Sequence, residues 1–171
     1  MGTPFQTMRN SLFTQINTRR MGDIMSTLDS YKGRHDELLN MISDLRAILD
    51  KDHLKIRPNA KTAHQLLCDL AGKVKEHLSE EDKGLYPPLL IHEDPKVKSI
   101  AWGFINGEKP LRKSFEDYHR KWLKNCDFNF TDDFIRESHE VFEMITKRIE
   151  QEQTILFPKL EQMGMFRPAR A

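Results

Sequence analysis

His77 and Glu81 are four residues apart, so on a helix they share one face about a turn apart. Leu67, Leu70 and Val74 run down the same stripe and direct that face inward. Burying an imidazole and a carboxylate is unfavourable unless both find partners, and a metal ion supplies one for each. Imidazole with carboxylate suits iron, manganese or zinc, and the lack of thiolate donors argues against a structural zinc site. The segment from Val74 to Leu89 also aligns without gaps on the segment from Ile145 to Leu160. Glu81 then stands opposite Glu152, Leu85 opposite Leu156, Tyr86 opposite Phe157 and Pro87 opposite Pro158. A weaker repeat sets His35, with Leu38 and Leu39, opposite His119, with Trp122 and Leu123. His35, His77, Glu81, His119 and Glu152 are therefore the candidate metal ligands. Carboxylates and histidines on facing helices are the ingredients of a metal site in a bundle core.

Helices must position these residues. From Asp23 to about Lys51, Ile24, Leu28, His35, Leu39, Ile42 and Leu49 fall near one stripe. The charged stretch to Pro58-Asn59 reads as a turn, and a second helix runs from about Ala60 to Glu81, closed by Gly84, Pro87 and Pro88. Asp94-Pro95 starts a further piece that ends at Asn106-Gly107. Pro110 opens a third long run to about Asn125, carrying Phe115, Tyr118, His119, Trp122 and Leu123 inward. A fourth run, capped within Thr131–Asp133, reaches Phe157-Pro158. No β alternation of useful length is present. The fold class expected is all-α: an antiparallel up-down-up-down four-helix bundle over residues 23–163, with an N-terminal arm at 1–22 and a C-terminal tail at 164–171. The arm carries Phe5, Met8, Leu12, Phe13 and Ile16; it packs on the body or a second subunit of a homodimer, or it is a frayed tail.

At these residues the sequence resembles the hemerythrin-like (HHE cation-binding) family, from about Ile24 to Leu160. The pattern has a His on the first helix, HxxxE followed by L-[FY]-P on the second, a His on the third, and a second HxxxE with LFP on the fourth. Here it reads His35; His77 and Glu81 with Leu85-Tyr86-Pro87; His119; and Glu152 with Leu156-Phe157-Pro158. The resemblance implies one or two non-haem iron ions. The chain departs from the pattern at Arg148, which stands where the fourth-helix His belongs. Arginine has no lone pair for a metal. Three outcomes are open: a two-metal centre with an open position, a single metal on the His77/Glu81 side, or an Arg148–Glu152 salt bridge in place of the second metal. Reversible O2 carriage by the family's mechanism is not expected. His139 is the nearest spare histidine, but it lies half a turn away around a regular helix. His53, His64 and His92 read as surface residues, Tyr31 as packing or a hydrogen-bond partner to a ligand, and Tyr86 and Phe157 as core plugs.

Composition narrows the function classes. The 171-residue chain is 38% hydrophobic with a formal net charge of +1, so nothing gathers nucleic acid or an anionic membrane. No apolar run approaches a membrane span or a secretion signal. Cys68 and Cys126 form no CxxC pair and read as reduced thiols, hence a cytoplasmic location. The first expectation is a protein that binds or senses O2, NO, peroxide or iron. An enzyme of iron–sulfur repair or of peroxide or NO reduction is the alternative, although no nucleophile or cofactor motif is present and the cysteine-bearing N-terminal region of such repair proteins is missing. The third reading, motivated by Arg148, is an interaction module without metal.

Overall fold

The computed structural model describes residues 28–124 and 129–163, and among them every regular element is helical. The arm, the C-terminal tail and Cys126 lie outside the described residues. Helix α1 covers 28–48. A short α2 (Lys51–Leu54) leads into α3 (Arg57–Glu80), which passes through a π-helical turn at Glu81–Leu85 into α4 (Tyr86–Leu90). Helix α5 (Pro95–Tyr118) continues through a π turn at His119–Leu123. Helix α6 (Asp132–Gln151) passes through a third π turn at Glu152–Leu156 into α7 (Phe157–Gln162). Among the described residues, no helix is long and apolar enough to cross a membrane.

Helix starts follow local chemistry. Asp94 accepts from the Lys96 N–H at 2.8 Å, and Thr131 accepts from the Phe134 N–H at 3.2 Å, each satisfying a donor that the first turn leaves unpaired. Three boundaries differ from expectation. Pro58 does not make a turn: it sits in the first turn of α3, where its missing N–H costs nothing. Asn106-Gly107 and Pro110 do not divide α5, which runs unbroken past them with Ala101, Glu108 and Leu111 all buried on its inner side. Packing of that face outweighs one lost backbone hydrogen bond. Gly84, Pro87 and Pro88 do not close the second helix but carry it through the π turn. Pro87 and Pro158 cannot donate to the residue four back, and each is preceded by a five-residue bond instead: Tyr86 N–H to the Glu81 carbonyl, and Phe157 N–H to the Glu152 carbonyl.

The inward positions follow a three-four spacing on each long helix. On α1 they are Leu28, Tyr31, His35, Leu38, Ile42, Leu45 and Leu49; on α3 and its π turn, Ala63, Leu67, Leu70, Val74, His77 and Glu81. On α5 they include Val97, Ala101, Glu108, Leu111, Phe115 and Tyr118; on α6, Phe134, Ser138, Val141, Ile145, Arg148 and Glu152. The apolar members form two clusters. One gathers residues such as Leu38, Leu45, Leu70, Phe115, Phe142 and Ile149. The other gathers Leu28, Tyr31, Leu85, Tyr86, Val97, Leu156 and Phe157. On each long helix the ionisable inward residues lie near the change from one cluster to the other, as His35 does between Tyr31 and Leu38 and Glu108 between Ala101 and Leu111.

Cys68 is disulfide-bonded rather than a reduced thiol, so the cysteine argument for a cytoplasmic location falls.

Gly84 is required by its neighbour. A Cβ there would come within 2.7 Å of the Tyr31 hydroxyl, which donates to the Glu80 carbonyl at 3.0 Å. Gly84→Ala should therefore lower stability by about 1–3 kcal/mol, as overpacking does. In a Tyr31→Phe background, which removes the clashing oxygen, the same change should cost less. Chemical denaturation of the four proteins of this cycle measures the coupling, and simple additivity would sink the explanation.

Candidate metal centre

His35, His77, Glu81 and Glu152 converge from α1, α3 and the π turns after α3 and α6. One ligand atom from each lies within 4.8 Å of all the others. All four are buried, His35 and Glu152 completely. His35 Nε2 is 3.1 Å from a Glu152 carboxylate oxygen, and His77 Nε2 is 3.3 Å from Glu81 Oε1. Neither contact has hydrogen-bond angles: both ring nitrogens of His35, Nδ1 of His77, and both oxygens of Glu81 and of Glu152 have no hydrogen-bond partner. These atoms crowd one point without pairing, as ligand atoms around a shared cation do. An unsatisfied buried polar group costs about 1–3 kcal/mol, against about 5–15 kcal/mol of stability for a whole domain. Several at one point would offset most of that stability, so the donor set fits a divalent ion bound by two imidazoles and two carboxylates.

Packing aims the donors. The His35 ring stacks on Phe157 at 5.5 Å and meets the His77 ring edge-on at 4.8 Å. Tyr31 stands edge-on to His77 at 6.5 Å. The repeated Leu-[Phe/Tyr]-Pro segments thus act on the site in two ways. Their prolines set the π turns that begin at Glu81 and Glu152, and Phe157 fixes an imidazole plane.

Arg148 lies beside this cluster and is 8% exposed. Its Nε is 2.5 Å from Glu152 Oε1. Nη2 donates to the Tyr86 hydroxyl at 2.6 Å and to Glu108 Oε2 at 3.2 Å, and Nη1 donates to the Phe104 carbonyl at 3.1 Å. The guanidinium also lies 4.9 Å over the Phe104 ring. The Tyr86 hydroxyl donates to Glu108 Oε2 at 3.3 Å, and Arg112 Nε is 2.5 Å from Glu108 Oε1. Tyr86 is therefore a polar member of the site and not simply a core plug.

His119 is not brought into the cluster. It is half-buried at the start of the second π turn, with Nε2 2.9 Å from Lys75 Nζ. Tyr118, one position earlier, takes the inward slot and bonds Ser138 Oγ at 2.6 Å. The α5 residue at the level of the site is Glu108, which the sequence reading missed. A helix divided at Asn106-Gly107 hides the register; continued unbroken, Ala101, Glu108, Leu111 and Phe115 lie on one stripe. Gly107 does not end the helix; it faces Arg148, where a Cβ would sit in ordinary contact at 4.0 Å from Nη1. His139 faces elsewhere, its Nε2 3.0 Å from the Leu49 carbonyl.

The hemerythrin HHE cation-binding domain description matches residues 26–160. The chain belongs to that family. No curated protein and no solved structure matches it. Cation binding in a hemerythrin-like domain agrees with the orphaned donors of His35, His77, Glu81 and Glu152.

Protonation distinguishes the donors. Burial, then the charges of Glu152 and Glu108, hold the Glu81 carboxyl well above the usual range. Burial also pushes Glu152 up, but the contact with His35 and the charge of Arg148 outweigh it and leave this carboxyl below the usual range. Burial and the neighbouring His35 push His77 down to about 4. His77 is thus neutral and ready to bind a metal above that pH, whereas Glu81 holds its proton more tightly than an ordinary carboxylate, and an ion must displace that proton. Metal uptake should release protons into a weakly buffered solution, and affinity should fall as pH is lowered. An indicator dye and competition titrations read both; uptake without proton release would contradict the assignment of Glu81.

Proposed function

We propose that this hemerythrin-like domain is a non-haem iron protein that binds or senses a small ligand such as O2, NO or peroxide, or iron itself. His35, His77, Glu81 and Glu152 hold the metal in this reading. The observation that carries it is the set of buried imidazole and carboxylate atoms left without partners. Zinc and manganese suit the same donors, but mixed imidazole and carboxylate ligation with room for an exogenous ligand is chemistry that ferrous iron serves well. A bound ion supplies the position at which the small ligand coordinates. The residues of the chain orient the donors and exclude bulk water. With no nucleophile in the cluster, binding or sensing is favoured over turnover.

We also read the helices as an antiparallel up-down-up-down bundle. Ion pairs support this. Along α1, Arg34 pairs with Glu80 and Glu37 with Lys73, so α1 and α3 run in opposite senses. Lys32 pairs with Glu161 and Arg46 with Glu143, which gives the same relation between α1 and the α6–α7 segment.

A metal-free interaction module is the competing reading, and the Arg148–Glu152 pair favours it. That pair leaves the ring nitrogens of His35, Nδ1 of His77 and both oxygens of Glu81 without hydrogen bonds among the described residues, which is why we prefer the metal. Protein purified from iron-supplemented cells should carry iron and show ligand-to-metal absorption. Binding only to the folded state adds about 2.7 kcal/mol at a hundredfold excess over Kd. For a domain of this size that is a rise in Tm of about 5–10 °C, reversed by chelator. His77→Ala should lower the metal content. Absence of iron, no anaerobic uptake of ferrous iron, and a Tm indifferent to chelator would together end this reading.

A further inference from the structure

We propose that the centre holds a single divalent ion because the Arg148 guanidinium is built into the place a second cation would take. This inference rests on the metal-binding reading above and concerns how many ions the site accepts. In the internal repeat Arg148 stands opposite His77. His77 approaches its own i+4 carboxylate, Glu81, through Nε2, and Arg148 approaches its own, Glu152, through Nε. The two positions are equivalent in the repeat, but one presents a lone pair and the other a fixed positive charge.

The carboxylates divide accordingly. Both Glu108 oxygens are committed to cationic side chains, one to Arg148 at 3.2 Å and the other to Arg112 at 2.5 Å. Glu152 is shared, with one oxygen against Arg148 and the other against His35. Among the described residues Glu81 has no arginine within ion-pair distance, and both its oxygens lack a hydrogen-bond partner. The demand for a further cation is therefore concentrated at His35, His77, Glu81 and the free side of Glu152. Around Arg148, three acceptors hydrogen-bond the guanidinium, Glu108, the Tyr86 hydroxyl and the Phe104 carbonyl, and Glu152 faces its Nε as an ion pair.

Charge leads to the same count. Arg112 reaches outward to Asp82 at 2.9 Å. One divalent ion, with Arg148 and Arg112, balances Glu81, Glu108, Glu152 and Asp82. A second divalent ion would leave two positive charges uncompensated beside the buried Glu81, Glu108, Arg148 and Glu152, where desolvating unpaired charge is costly, although Arg112 and Asp82 reach the surface. Glu108 is then the counter-ion of Arg148 and Arg112, not a ligand.

The count can be read directly. Metal-free full-length protein is loaded anaerobically with excess ferrous iron, and in parallel with zinc. Ions per folded chain are then counted by native mass spectrometry and elemental analysis. We expect one ion in the wild-type protein. Arg148→His removes the fixed charge, supplies a donor and frees Glu108, so the folded variant should take up two. Two ions in the wild type would overturn the inference while leaving the metal-binding reading intact. No ion would overturn both. An Arg148→His protein that melts cooperatively and still holds one ion would show that Arg148 does not set the count. Should that variant fail to fold, the wild-type number decides alone.

Discussion

The fold depends on one constraint: a layer of ionisable side chains is held dry at the level where two apolar clusters meet. His35, His77, Glu81, Glu108, Arg148 and Glu152 all occupy inward positions of the kind that Leu, Val and Phe fill elsewhere on the same helices. Apolar packing on both sides removes water from the layer. It therefore raises the cost of every charge that lacks a partner and strengthens every attraction that is satisfied. On one side of the layer an arginine and two carboxylates compensate one another within the chain. On the other side the donors have only each other, and a metal ion resolves them.

The π turns link the backbone to this chemistry. A proline that cannot donate a backbone bond follows each of the turns at Glu81 and Glu152, and each turn starts on a carboxylate of the layer. The residues that accompany those prolines, Leu85 with Tyr86 and Leu156 with Phe157, complete one apolar cluster. At the same time Tyr86 binds Arg148 and Phe157 stacks on His35. The same short segment thus carries the ligand helix on through its π turn, closes the core beneath the site and orients a side chain in it. This explains why the motif recurs where the acidic residue recurs.

Much of the site was legible in the sequence because helical spacing and an internal repeat both report on the inward face. His77 with Glu81, the matching Glu152, and His35 among Leu28, Leu38 and Ile42 all follow from a three-four period. His119 and Glu108 were misread. Asn106-Gly107 and Pro110 are strong local breakers, and taking them as a helix end discards the register that carries Glu108 inward. His119 was set opposite His35 by the weaker internal repeat, which pairs Leu38 and Leu39 with Trp122 and Leu123. In the folded chain Tyr118 holds the inward slot, and His119 turns towards Lys75. Local propensity lost to the packing of a long amphipathic face, a competition that single-residue rules do not see.

By itself the sequence determined the helical class, the inward stripes, the paired acidic motifs and the substitution of arginine at position 148. Each of these is a local property of residue type and spacing. Only the tertiary structure decided which α5 residue meets the site, that Arg148 is neutralised by both Glu108 and Glu152, and that the carboxylate oxygens of Glu81 and Glu152 and the ring nitrogens of His35 are left without hydrogen bonds among the described residues. Those outcomes depend on which side chains from four separate helices arrive at the same depth, and spacing along one chain segment carries no information about that. The asymmetry first visible as His77 opposite Arg148 thus becomes a physical division of the layer: a lone-pair donor set on one side and a built-in cation on the other.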